Sequence, residues 1–261
     1  MIKFSIITIT YNAEECLQRT LDSVWEQTYQ YVEHIIVDGA SKDGTVKMAQ
    51  EYKRENDADE DCLHDVVVVS EPDKGLYDAM NKGLKMATGD YVLFLNAGDT
   101  LPNADTLEGV GGAVGDGEAM PGVLYGDTDI VDAEGNFICH RRLAAPKKLT
   151  WRSFMHGMLV CHQAFYARTD LAKQTPYNLD YRFSADVDWC IRIMREAKRR
   201  GLPMRNVGFV VANYLDGGMT NKNHKASLKE RFKVMSKHYG LIPTVIMHLW
   251  FVIRQAIKCL G

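Results

Sequence analysis

In the first hundred residues of this 261-residue chain, four apolar runs each end in a polar cluster. The clusters are Thr10-Tyr11-Asn12, Asp38-Gly39-Ala40-Ser41, Glu71-Pro72-Asp73 and Asn96-Ala97-Gly98-Asp99. Asn, Asp and Gly are ordinary turn formers, so one such cluster means little alone. Four brought to a single edge would line a cleft with oxygen ligands. Asp99 follows its apolar run through a Gly turn, and a hard carboxylate there suits Mg²⁺ or Mn²⁺ bridging two phosphates. Phosphate oxygens and water would complete such a site. The chain has neither a GxxxxGK[ST] loop nor a GxGxxG turn, which argues against a P-loop nucleotidase and a dinucleotide enzyme. A nucleotide diphosphate held by carboxylates and a metal remains.

Two further carboxylates, Asp186 and Asp188, stand at the start of a predicted helix capped by Ser184. Two positions apart is about 200° around a helix, so only one can face a cleft. Val187, Cys190, Ile191 and Met194 claim the buried face, and periodicity leaves both aspartates open as a general base. His162-Gln163 offers imidazole and amide groups suited to sugar hydroxyls.

The elements that must position these groups alternate between two periods. Strands are predicted over residues 4–10, 34–37, 66–70 and 91–95. Between them come a helix capped by Asn12 with Glu15 in a capping box, a helix over 45–55, and a stripe of Leu76, Met80, Leu84 and Ala87. Strand–helix repetition at this spacing predicts an α/β fold with a doubly wound, parallel sheet, whose ligands bind at the strands' carboxyl ends. The second half is less regular. It reads as a hairpin of 123–127 and 137–140, strands over 159–166 and 209–213, a helix from Ser184 to about Arg200, and helices over 221–239 and 243–258.

The formal net charge of −3 hides a division: residues 1–135 carry 9 basic against 27 acidic side chains, and residues 136–261 carry 22 against 7. Cation-assisted chemistry fits the first half and an anionic partner the second. The composition, 46% hydrophobic and 25% charged, excludes a disordered or collagen-like chain. Six cysteines without CxxC spacing predict reduced thiols in a cytoplasmic protein. The longest apolar stretch, residues 244–253, is far short of the roughly 20 residues that span a bilayer. It adjoins a basic segment, and together they predict a helix lying on the inner face of the cytoplasmic membrane. Packing on the core or on a second subunit, as in a homodimer, is the competing expectation. No nucleic-acid motif is present, so no nucleic-acid partner is expected.

Four segments in register, residues 5–12, 37–45, 71–83 and 89–99, resemble the family 2 glycosyltransferases of the GT-A fold. The resemblance covers roughly residues 3–220. It implies a GT-A, Rossmann-like, mostly parallel sheet flanked by helices, with a nucleotide-binding half (1–100), an acceptor half (101–220) and a C-terminal helical extension (221–261). It also implies inverting transfer from a nucleotide-diphosphate sugar, most often a UDP-sugar. The acceptor would be a saccharide or a polyprenyl-diphosphate-linked glycan of cell-surface polysaccharide or lipopolysaccharide synthesis. By the same resemblance, Thr10, Tyr11, Asn12 and Asp38 contact nucleobase and ribose, and Asp73 supports the nucleoside or the adjacent lysine. Asp99 meets the metal, and Asn96 stands where the usual Asp-x-Asp motif has its first carboxylate. Asp186 matches the family's Glu-Asp motif with the Glu replaced by Ala185, which favours it as the base. From their own chemistry His162 and Gln163 are expected at the acceptor. The Gly-rich segment 216–221, like comparable loops of the family, would close over the diphosphate and bring His224 to the metal, with an ordinary solvated loop as the competing reading. Two other readings compete. One is a non-catalytic nucleotide-sugar-binding protein, for which Asn96 argues. The other is a sugar-1-phosphate nucleotidyltransferase, whose Gly-rich, basic N-terminal signature is missing.

Overall fold

The computed structural model describes residues 1–115, 120–217 and 224–258. Strands β1 (Phe4–Thr10), β2 (Val32–Asp38), β3 (Asp65–Ser70) and β4 (Tyr91–Phe94) run parallel, in the spatial order β3-β2-β1-β4. Helices α1 (Leu17–Trp25), α2 (Thr45–Ala58) and α3 (Leu76–Met86) make the crossovers. The continuous burial of β1 and β2 is what a strand covered on both faces requires.

Beyond β4 the sheet changes direction. Strands β5 (Val123–Val131), β6 (Phe137–His140), β7 (Phe165–Arg168) and β8 (Met204–Leu215) extend it, making eight strands among the described residues. β7 is antiparallel to both β4 and β5, β6 forms the expected hairpin with β5, and β8 runs parallel to β5. The remaining helices are α4 (Thr106–Gly112), α5 (Thr169–Gln174), α6 (Ala185–Arg199), α7 (His224–Tyr239) and α8 (Leu241–Lys258).

Two sequence expectations fail in the elements that flank the cleft. Asn12 does not cap α1, which starts at Leu17 behind Cys16 with no side-chain cap. Asn12 instead takes a left-handed backbone (φ 47°), and its Oδ1 accepts a hydrogen bond from the Lys42 amide at 2.9 Å. The predicted strand over 159–166 is β-paired only from Phe165; His162–Ala164 winds into a 3₁₀ turn that aims two polar side chains at the cleft.

Trp189 of α6 is fully buried and packs on Phe94 of β4 (5.4 Å between ring centres) and on Tyr177 (4.9 Å). This cluster seats α6 against the end of β4, which sets the start of α6 across the cleft from the β4 turn. Next to this cluster, α3 approaches β1 closely at Gly83, where a Cβ would lie 2.4 Å from Ile7 Cγ2 and 3.3 Å from Val37 Cγ2. Gly83→Val should therefore lower the urea midpoint at constant m-value, by about 1–3 kcal/mol of stability as for other overpacked cores. An unchanged midpoint would contradict this account of the helix–sheet contact.

Candidate active site

Thr10, Asp38 and Ser70 are register partners at the carboxyl ends of β1, β2 and β3. Asp38 is fully buried and serves as their common acceptor. Thr10 Oγ1 donates to its Oδ1 at 3.0 Å, while Ser70 Oγ (2.7 Å) and the Ser41 amide (2.9 Å) donate to Oδ2; the Ser41 hydroxyl also donates to Oδ1. Burial raises the Asp38 pKa, but the donors from Ser41, Ser70 and Thr10 outweigh it and hold the carboxyl below its ordinary range. Asp38 thus ties three strand ends together. The groups turned outward beside it are Tyr11, 65% exposed, and the half-buried Asp73. They meet at Gly39, where a Cβ would lie 2.4 Å from Asp73 Oδ2 and 3.2 Å from Tyr11 Cδ2. Glycine at 39 lets both side chains close onto the backbone at that corner.

Asn96 and Asp99 stand three residues apart and close a turn, with the Asp99 amide donating to the Asn96 carbonyl at 3.0 Å. Thr20 of α1 pins the turn from below: its hydroxyl donates to the Asp99 carbonyl (2.8 Å) and accepts from the Gly98 amide (2.8 Å). The Asp99 side chain is buried, with Gln163 Nε2 donating to Oδ2 at 2.9 Å and the Leu215 amide to Oδ1 at 3.0 Å. Burial dominates its chemistry and pushes its pKa up to about 6, against the lowering effect of Gln163, the Leu215 amide and the nearby His162 and Arg19. Gln163, expected at the acceptor, therefore sits instead as a direct partner of Asp99.

The Asn96 side chain is linked to α6 through His162. Asn96 Nδ2 lies 3.0 Å from His162 Nε2. An amide nitrogen only donates, so the ring nitrogen accepts and the imidazole proton lies on Nδ1. That nitrogen faces Asp186 Oδ2 at 3.6 Å, an electrostatic contact longer than a hydrogen bond. Asp186 Oδ1 accepts from the Val187 amide at 2.9 Å and from the Tyr77 hydroxyl at 3.3 Å. Burial raises the Asp186 pKa, but His162, Arg231 and the Val187 amide together hold it below the ordinary range.

The two aspartates of α6 have opposite surroundings. Asp186 keeps 17% of its side chain exposed, whereas Asp188 is sealed, with Arg192 Nε 2.6 Å from Oδ2 and His238 Nε2 2.8 Å from Oδ1. Oδ1 of Asp188 thus ties α6 to α7, while Oδ2 is engaged within α6. Ser184, expected to cap α6, makes no side-chain cap. The carboxylate at that helix start belongs to Glu230 of α7, which accepts from the amides of Arg182 (2.7 Å), Phe183 (2.6 Å) and Ser184 (2.6 Å). Periodicity gave no sign of this, although Glu230 is the one acid in a basic segment. Nor did it mark Tyr77, Thr20 or Asn81. Asn81 clamps the approach to α6, donating to the Tyr177 carbonyl (3.0 Å) and accepting from its amide (2.8 Å). Residues 218–223 lie outside the described residues, as does the His224 side chain, so the expected loop closure and second metal ligand rest on the sequence alone.

Among the described residues, no three His, Cys, Asp or Glu side chains converge on a metal position. Two oxygens of the β4 turn nevertheless fit a hard divalent cation. Asp99 supplies a carboxylate, and Asn96 Oδ1 is buried without a hydrogen-bond partner. Two protein oxygens suffice where diphosphate and water fill the remaining positions.

A model of glycosyl transferase family 2 matches residues 5–173. A PGL/p-HBAD biosynthesis glycosyltransferase of Mycobacterium bovis is 36% identical over 250 residues, 95% of this chain and 90% of that protein. Among solved structures, TarS residues 1–349 of S. aureus in complex with UDP-GlcNAc superimposes with a TM-score of 0.68 at 19% identity, over 90% of this chain. This chain spans 64% of that fragment's length. The mannosyltransferase PcManGT of Pyrobaculum calidifontis, in complex with GDP-Man and Mn²⁺, gives 0.64 at 18% identity over 95% of this chain and 70% of its own. At these identities the two structures establish a shared fold.

The raised pKa of Asp99 has a stability consequence whose sign follows from linkage. A carboxyl that titrates near 6 when folded, against 3.8 ordinarily, binds its proton more tightly in the folded state. Its contribution is fully present below about pH 4 and is lost as pH rises through 6. At pH 7.5 the ionised side chain costs about 3 kcal/mol, which Asp99→Asn relieves. The variant should melt several degrees higher than wild type at pH 7.5, the gap closing below pH 4. A lower melting temperature at pH 7.5 would show that Asp99 is not electrostatically penalised.

Proposed function

The chain belongs to glycosyltransferase family 2, and on that footing we propose that it transfers a sugar, with inversion, from a UDP-sugar to a saccharide or polyprenyl-diphosphate-linked acceptor. The similarity to a PGL/p-HBAD biosynthesis glycosyltransferase supports a product among surface polysaccharides, lipopolysaccharides or glycolipids. An acceptor of that kind places the C-terminal helices in peripheral contact with the cytoplasmic membrane face. The observation that carries the catalytic reading is the contrast on α6: one aspartate opens to the cleft and the other is consumed by the fold.

In the proposed reaction the donor's nucleobase lies in the corner of Tyr11, Gly39 and Asp73, with Asn12 and the Thr10–Asp38 pair shaping its floor. Mn²⁺ or Mg²⁺ held by Asp99 and the Asn96 carbonyl oxygen, joined by His224, would neutralise charge on the departing diphosphate. The acceptor hydroxyl approaches from the α6 side. Asp186 takes its proton as the hydroxyl oxygen bonds to the anomeric carbon and the bond to diphosphate breaks, which inverts the centre. Asp186 is ionised throughout the neutral range because its pKa is held low. Asn96 and Tyr77 fix the approach: one sets the His162 tautomer that faces Oδ2, the other meets Oδ1.

Release of nucleoside diphosphate from a panel of UDP-, GDP- and TDP-sugars with Mn²⁺ tests this reading without knowledge of the acceptor, since slow donor hydrolysis uses the same base. Asp186→Asn should lower kcat by about 10²–10⁴ while donor KM stays within about twofold. Asp188→Asn should act on stability instead, losing about 3 kcal/mol through the uncompensated Arg192 and His238. Wild-type turnover by Asp186→Asn would remove this aspartate from the chemistry.

A further inference from the structure

Helix α8 has two unlike faces. Thr244 and His248 turn inward: Thr244 is buried, and the His248 ring meets Phe232 of α7 edge-on at 5.0 Å. At about 100° per residue, Ile242, Ile246, Leu249, Trp250, Val252 and Ile253 fall within an arc of about 160° on the other side. Every one of these six is between 49% and 75% exposed. Exposed apolar side chains scattered singly are normal, but a contiguous helical face of them marks a docking surface. No described helix is long and apolar enough to cross a membrane, so this face lies along whatever it meets.

Charge on the neighbouring helix selects the occupant. Lys225, Lys229, Lys233 and Lys237 repeat every fourth residue on the exposed side of α7, the last two with their Nζ atoms 5.8 and 5.7 Å from the Tyr181 ring centre. The one acid between residues 224 and 253, Glu230, is spent on three backbone amides and offsets nothing at the surface. A second copy docked isologously would set one lysine row near another. An anionic bilayer satisfies both features, taking the apolar face into the acyl boundary and the ammonium groups among its headgroups. We propose that the α7–α8 hairpin docks this enzyme on an anionic lipid surface, through the apolar face of α8 and the lysine row of α7.

The hairpin is not a loose appendage. Glu230 and His238, both on α7, hold the start of α6 and Asp188, so a docked hairpin orients the Asp186 end of the cleft relative to the bilayer. Only this orientation rests on the reading of Asp186 as the base. The docking surface stands on α7 and α8 alone.

Flotation of the full chain with vesicles of phosphatidylcholine alone, or with added phosphatidylglycerol, tests the proposal independently of activity. Wild type should float with the anionic vesicles, with recovery falling roughly tenfold on neutral vesicles or in high salt. Ile246→Glu with Leu249→Glu should abolish flotation on both. Lys229→Glu with Lys233→Glu should remove only the preference for phosphatidylglycerol. All four positions are solvent-facing, and an unchanged thermal melt confirms that each variant folds. Absence of flotation, equal recovery on the two vesicle types, or wild-type behaviour of both variants would overturn the proposal. So would self-association on size exclusion that Ile246→Glu with Leu249→Glu dissolves while nothing floats, because the face would then belong to a second copy.

Discussion

Asp99 carries a carboxylate that the fold keeps out of water, and much of the surrounding structure exists to hold it there. The β4 turn presents it, Thr20 of α1 pins that turn by its backbone, and Gln163 and the Leu215 amide satisfy the two oxygens. These partners come from four separate parts of the chain, and β7 must run antiparallel beside β4 to carry the 3₁₀ turn of Gln163 to the spot. A buried carboxylate that cannot shed its charge cheaply is destabilising in isolation. In the proposed reaction it would serve a cation, because the desolvation has already been suffered in folding.

A second constraint works from the opposite wall. Glu230 of α7 gathers three consecutive amides at the entrance to α6, and Arg192 and His238 close around the buried Asp188 one turn further on. Two aspartates on one helical turn are thereby driven to different fates. The sealed one anchors the helix, and the other is left with His162, Tyr77 and the cleft. Asn96 links the two walls, since its amide reaches His162 while its carbonyl oxygen stays unpartnered beside Asp99. An amide can present a donor to one neighbour and an acceptor to another, which a carboxylate cannot do at neutral pH. Replacement of the first carboxylate of Asp-x-Asp by Asn96 is thus compatible with the proposed site.

The strand–helix rhythm of the first hundred residues was legible because each buried strand must be apolar throughout and each covering helix must carry a stripe. The polar clusters at the strand ends were legible for the same reason, being breaks in those runs. What stayed hidden depends on pairing at a distance. Asp38 and Asp73 look alike in sequence, yet Asp38 is consumed by Thr10, Ser41 and Ser70 from three segments while Asp73 remains at the surface. Asp186 and Asp188 were equivalent by periodicity until α7 closed over one of them. The capping assignments to Asn12 and Ser184 failed similarly: their sequence context is local, whereas Lys42 and Glu230, which decide the outcome, lie 30 and 46 residues away.

In the proposed reaction the buried Asp99 carboxylate couples nucleotide binding to a divalent cation. Calorimetric titration of UDP into the full chain, with and without Mn²⁺, tests it most directly when wild type and Asp99→Asn are compared at pH 7.5. Mn²⁺ should tighten UDP binding about tenfold or more in wild type, or about 1.4 kcal/mol, and leave the variant's affinity unchanged. Equal enhancement by Mn²⁺ in both proteins would contradict it.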